Sequence, residues 1–254
     1  MLRTCLSLRL PLLLLITVLL AAPWPVFSQG TAPNPYQEGV QALQDNNAAL
    51  ALEKFTEALK ADPNWVEAYI NRGAAWRRLG KFQEAVADFD QALKLAPEAH
   101  EALYNRAIAY SQQSQFQKAV DDYTQAAKLN PQDWQIYYNR GNAYLDMKKP
   151  NEAIKDYAKA LEFKPETPEI FHNRGLALLT AGDAAQALRD FQMALQLNPQ
   201  FPRAYYNQGR ALEKLGRKAE AAAAYRKFLQ TGDPEADRAL MEQALQNLKH
   251  LEGP

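Results

Sequence analysis

Cysteine is nearly missing from this chain: among 254 residues there is one, Cys5. It stands in an N-terminal leader, so the body from Gln29 onward has neither intrachain disulfides nor thiol chemistry. Histidine is also scarce. His100, His172 and His250 are scattered, with no metal-ligand spacing and no His-based triad. The 11 glycines never gather into a phosphate-cradling loop or a Gly-x-Ser-x-Gly turn. Charge of one sign is lacking too, with 29 basic and 29 acidic residues. Setting aside Arg3 and Arg9 of the leader leaves a small negative remainder, too weak a field to attract nucleic acid or an anionic membrane surface. Carboxylates such as Glu84, Glu152 and Asp183 fall at turn or solvated positions. No catalytic activity, metal, cofactor or nucleic-acid partner is expected.

One long apolar run is present. The positive segment MLRTCLSLR precedes Leu10 to Ala22, and PWPVFSQG follows with Val26 and Ser28 before a cut at Gln29. This three-part pattern predicts a secretory signal over residues 1–28 and a flexible lead-in over 29–35. The mature chain is then exported to a periplasm, a lumen or the medium. A spanning helix needs about 20 apolar residues, and Pro11, Pro23 and Pro25 interrupt any extension of the run. An uncleaved leader is the one route to a membrane. Cys5 precedes the run and is not placed as the lipid-modified cysteine of a lipoprotein signal.

What fills the rest is repetition. The stretch Val66 to Ala99 returns in register toward the C-terminus, and a weaker copy precedes it, giving units 32–65, 66–99, 100–133, 134–167, 168–201 and 202–235. With each unit numbered from its first residue, position 8 is small throughout (Gly39, Gly73, Ala107, Gly141, Gly175, Gly209). Position 20 is alanine, from Ala51 and Ala85 to the Ala221–Ala222 pair of the sixth unit. Position 24 is aromatic: Phe55, Phe89, Tyr123, Tyr157, Phe191, Tyr225. Positions 4, 8 and 11 share one side of a first helix and 20, 24 and 27 one side of a second. Small residues at 8 and 20 let the backbones approach, and aromatics at 11 and 24 fill the space around them. Gly80, Gly182 and Gly216 at position 15 suit the turn between helices, with Asn46 a fair substitute. Ser114 and Lys148 predict strain there. Prolines at 63, 97, 131, 165 and 199 close five units.

This 34-residue period and its Gly-x2-Tyr, Ala-x3-Phe, Pro pattern resemble the tetratricopeptide repeat family over Ala32 to Glu235. The resemblance implies an all-α, right-handed superhelical solenoid of antiparallel helix pairs. In the first unit Pro35 and Ala42 replace large residues, which predicts a short first helix. In the sixth, Gly232 is expected to end a helix, Asp233 to cap the next and Pro234 to begin it. Residues 236–252 carry Leu240, Met241, Ala244, Leu245, Leu248 and Leu251 on one stripe. This predicts a capping helix over the last repeat, with a partner-binding helix as the alternative.

Positions 7 and 23 covary in charge: Arg72 with Asp88, Arg106 with Asp122, Arg140 with Asp156, Arg174 with Asp190, and Glu38 with Lys54 reversed. The sixth unit has Gln208 and Ala224. Pairing within a unit satisfies every case, so intra-repeat ion pairs are expected.

The resemblance further implies a concave face lined by first helices, with positions 2, 5, 6, 9, 12 and 13 facing it. Position 6 gives Asn71, Asn105, Asn139, Asn173 and Asn207. Such an amide row holds the backbone of an extended peptide or belongs to the scaffold, and both readings stand open. Position 5 offers Tyr36, Tyr104, Tyr138 and Tyr206, with Ile70 and His172 between. Asn142, Arg203 and Arg210 complete the candidate groove, and Lys214, Arg77 and Arg78 add further cations. Glu67, Glu101 and Glu169 oppose them. An anionic partner segment is expected near the last unit. Family members that grip chaperone tails combine a lysine and two asparagines with a further lysine and arginine. Tyr138, Asn142, Asn173, Arg203 and Asn207 stand at the equivalent places, two charges short, so that function is not expected. The sequence thus points to an exported protein-interaction adaptor, or else to an assembly scaffold acting through the convex face or the C-terminal helix.

Overall fold

The computed structural model describes residues 34–253. The expected signal, 1–28, and the lead-in as far as residue 33 lie outside the described residues. The lead-in is shorter than expected at its other end. The Asn34 side chain accepts the Gln37 amide at 2.8 Å, and Pro35 opens the first helix. Proline suits that place because the first amide of a helix has no intrahelical acceptor.

Thirteen helices, and no strand, occur among the described residues. They run α1 (Pro35–Gln44), α2 (Ala48–Ala61), α3 (Val66–Arg78), α4 (Phe82–Leu95), α5 (His100–Gln112), α6 (Phe116–Leu129) and α7 (Trp134–Asp146). Then follow α8 (Pro150–Phe163), α9 (Pro168–Ala181), α10 (Ala184–Leu197), α11 (Pro202–Lys214), α12 (Lys218–Thr231) and α13 (Arg238–Glu252). Odd-numbered helices through α11 are the first helices of the six units, and α1 is shorter than its counterparts as Pro35 and Ala42 predict. None of the described helices is long and apolar enough to cross a membrane.

Each pair closes on one motif. The position-24 rings are 0–1 % exposed, and in the five units with glycine at position 8 the ring occupies the space a Cβ there would need. A Cβ on Gly73 would sit 2.6 Å from the Phe89 ring, and one on Gly209 would sit 2.7 Å from Tyr225. The small residue is therefore a condition of helix approach. Position 11 contributes less than expected: Trp76, Tyr110 and Tyr144 are half-buried, with Lys81 and Lys118 over the first two rings. Between the helices Asn46, Ser114 and Lys148 adopt φ of 57°, 58° and 60°, the left-handed region glycine occupies elsewhere in the array.

Successive pairs stack, and contacts between next-but-one helices run α1–α3, α3–α5, α5–α7, α7–α9 and α9–α11. All join first helices. These helices lie on the shorter, inner arc of the curve, which makes their outer row the concave face.

The C-terminal segment departs from expectation in detail. Asp233 accepts the amides of Glu235 and Ala236, but what it caps is a single turn. The helix proper begins at Arg238, after the buried Asp237. Ala244 and Leu248 of α13 are buried in one cluster with Phe228 and Leu212, and Met241 and Leu251 pack against it.

Candidate functional site

The ion pairs come first, because they fix which side chains remain free. Arg72, Arg106, Arg140 and Arg174 each grip the aspartate of their own unit through Nε and Nη2, at 2.7–2.8 Å. Lys54 meets Glu38 at 2.7 Å with signs reversed. Burial pushes the Asp88 carboxyl above its usual range, against the pull of Arg72. The remaining nitrogen reaches backward: Nη1 of Arg72 to Thr56, of Arg106 to Asp90 and of Arg140 to Thr124. Arg72, Arg140 and Arg174 also lie over the ring at position 4 of their own helix, Tyr69, Tyr137 and Phe171. The arginine thus ties its two helices together and, in three units, ties its repeat to the one before. The tie to position 25 was not read from the sequence, although Thr56, Asp90 and Thr124 are a periodic polar row.

The asparagine row is mostly spent in the same way. The amide nitrogen of Asn71 donates to the Tyr36 hydroxyl at 2.9 Å, Asn139 to Tyr104 at 2.9 Å and Asn173 to Tyr138 at 3.0 Å. Position 6 of one unit therefore bonds position 5 of the preceding unit. Asn105 follows Ile70, which has no hydroxyl, and turns to the Glu101 carbonyl of its own helix. Asn173 also donates to Asn142, whose Oδ1 accepts the Tyr157 hydroxyl at 2.6 Å. Substituting Tyr138, Asn139 or Asn173 consequently loosens the stack as well as changing the groove.

At the last junction three expected groove residues are interior. His172, Tyr206 and Asn207 are 7 %, 7 % and 6 % exposed. His172 packs against Phe191 and Phe201, with ring centroids 5.8 and 4.8 Å away. Asn207 donates to His172 Nε2 at 3.0 Å and to the Arg203 carbonyl, so the imidazole proton sits on Nδ1 and faces Asn173 Oδ1 at 3.1 Å. Burial lowers the His172 pKa, aided by Arg203. Arg203 meets Asp237 at 2.9 Å and is not a free cation. Arg210 donates to Asn207 Oδ1 but is otherwise exposed.

What stays open on the first-helix row is narrower than the sequence suggested. Among the described residues, Oδ1 of Asn71, Asn105 and Asn139 accepts no hydrogen bond. A cavity of about 270 Å³ between α5 and α7 is lined by Ile108, Ser111, Gln112, Asn139, Asn142 and Asp146. A wider one of about 500 Å³ lies where α11 meets α13, against Tyr206, Arg210, Glu213, Lys214 and Asn247. No group of three or more metal-ligating side chains occurs among the described residues.

Tetratricopeptide repeat models match residues 66–98, 100–133, 134–166 and 172–237, more than half of the chain. The chain belongs to the tetratricopeptide repeat family. The human small glutamine-rich tetratricopeptide repeat-containing protein beta is 36% identical over 59 residues, which cover 23% of this chain and 19% of that protein. The chain thus matches about a fifth of that relative's length. Among solved structures, MamA aligns with a TM-score of 0.60 at 26% identity, over 64% of this chain and 95% of that one. YrrB, described as having an unusual peptide-binding site, aligns at 0.67 and 22% identity, over 77% and 100%. A tetratricopeptide repeat protein from Parabacteroides merdae aligns at 0.67 and 22%, over 86% and 91%.

Proposed function

We propose that this chain is a non-catalytic interaction module that binds an extended segment of a peptide or protein partner along its concave face. One observation carries the reading. In three consecutive units the position-6 amide keeps a free carbonyl oxygen on the first-helix row, although two of the three amides spend their nitrogen on a neighbouring tyrosine. A row of acceptors at regular intervals matches the amides of an extended backbone, which binds without demanding a particular side chain. The description of YrrB as a peptide-binding protein supports this by kinship. Arg210 and Lys214 favour an anionic portion of the partner at the last unit. The leader supports export, which places the partner outside the cytosol.

A second reading has its own observation. Leu95, Leu129 and Leu197, at the same register of three second helices, are 40 %, 42 % and 37 % exposed. Recurrent exposed leucines suit assembly through the outer surface. Two variants of the full chain separate the readings. N105A/Q112A/R210A alters the groove and breaks no bond between repeats, since the Arg210–Asn207 and Asn105–Glu101 contacts each lie within one helix, and L95Q/L129Q/L197Q alters the outer row. Capture of a displayed random-peptide library is expected to fall at least tenfold for the first and to hold for the second. The reverse result, with self-association lost in the leucine variant, supports the scaffold.

A further inference from the structure

Two buried side-chain polar atoms among the described residues have no hydrogen-bond partner: Arg77 Nε and Ser111 Oγ. Both stand at position 12, in consecutive repeats. In units one, four and five that position holds leucine, Leu43, Leu145 and Leu179. The array has therefore given up an apolar side chain for a polar one on two adjacent rungs; Arg77 Nε is left without an acceptor, and Ser111 Oγ has the Tyr123 hydroxyl near it but outside hydrogen-bond geometry. Native proteins pair nearly all such groups, so an unpaired one asks for an explanation. Ser111 lines the 270 Å³ cavity of the concave face, and Arg77 is its counterpart one rung earlier, on α3.

The arginine is the more telling of the two. No carboxylate lies within salt-bridge distance of it among the described residues, whereas Arg72, five residues away, is held by three groups. Desolvation pulls the Arg77 guanidinium below its usual pKa, and Arg78 beside it adds repulsion. Arg78 is itself occupied, donating to the Leu43 carbonyl at the end of α1. A single half-buried guanidinium with an unused edge suits one singly charged, planar anion, which a carboxylate is. First helices continue on both sides of α3, so the groove runs through this point. The anion is then a side chain of a passing segment and not a chain terminus.

We infer that Arg77, with Ser111 on the next rung, forms a subsite for an Asp or Glu side chain of the bound segment. This rests on the concave-face reading above. It adds a second acidic determinant of the partner, four units from the one expected at Arg210 and Lys214.

The test uses the full chain and a displayed library of random dodecapeptides. Selection is expected to enrich peptides with one fixed Asp or Glu. Arg77→Leu, the residue three other units carry, is expected to lose that preference and to bind the enriched peptides on the order of 30-fold more weakly. Amidating the peptide C-terminus is expected to change nothing. The same variant is expected to unfold at a higher denaturant midpoint, because it restores an apolar contact and removes an empty donor. A lower midpoint would assign Arg77 to the scaffold and overturn the inference. Peptides enriched without an acidic position, bound equally by Arg77→Leu, would also overturn it while leaving the groove reading standing. Enriched peptides that bind N105A/Q112A/R210A undiminished would overturn the groove reading itself.

Discussion

Arg140 shows what a single residue does in this array. It grips Asp156 twice, reaches Thr124 and covers Tyr137. Removing it by Arg140→Gln strands a buried carboxylate, and urea unfolding is expected to show a loss of about 2–4 kcal/mol. The double variant R140Q/D156A copies the uncharged pair of the sixth unit, Gln208 and Ala224, and is expected to recover most of that loss. His172 makes a different kind of prediction. Its folded pKa lies below the ordinary value of 6.5, so below that pH the unfolded chain takes up a proton the folded chain refuses. Stability is then complete above about pH 7 and falls as pH drops through the mid-6 range. His172→Tyr restores the tyrosine that bonds the next asparagine in three other junctions. Its unfolding midpoint is expected to vary less between pH 7.5 and 5. Lys148, at φ 60° and without a side-chain hydrogen bond, gives a gain: Lys148→Gly is expected to stabilise by about 1 kcal/mol in thermal unfolding.

The elements follow from spacing that the sequence displays openly. Position 8, position 24 and the closing prolines appear in nearly every unit, because a helix pair tolerates no other sizes at its crossing. The ion pairs were legible for the same reason, through covariation with Glu38 and Lys54. Less legible was the bond from position 6 to position 5 of the preceding unit. A periodic asparagine looks the same whether it serves a ligand or a neighbour, and only Ile70 beside Asn105 hinted at the difference. The end of the array was harder still, since Asp233 and Pro234 carry a cap signal that the chain uses for one turn before α13. Helix α13 closes the stack: Leu248 and Ala244 cover Phe228, Arg226 meets Glu252, and Asn247 donates to Tyr225. Leu248→Ala is expected to cost about 2–3 kcal/mol in denaturant unfolding. Deletion from residue 232 onward should expose the α12 face and cause concentration-dependent self-association, visible by sedimentation.

At the scale of the whole molecule, the repeated ties explain why so few groove residues remain for a partner. Position 5 and the amide nitrogens of position 6 hold repeat to repeat, and position 7 holds helix to helix. In the proposed function, recognition falls to the amide oxygens of Asn71, Asn105 and Asn139 and to positions 9, 12 and 13. There the units differ most from one another, as Ile108, Asn142 and Arg210 at position 9 illustrate. Three of the groove residues named from the sequence, His172, Tyr206 and Asn207, are buried instead, because Phe201 and Phe228 pack over the His172 and Tyr206 rings and a repeat pattern does not show which junctions carry such neighbours. The account is tested most directly by amide hydrogen exchange of the full chain, alone and saturated with a library-selected peptide. Added protection is predicted on α3, α5, α7 and α11, with α4, α6 and α8 unchanged. Protection confined to the second helices or to α13 would contradict it.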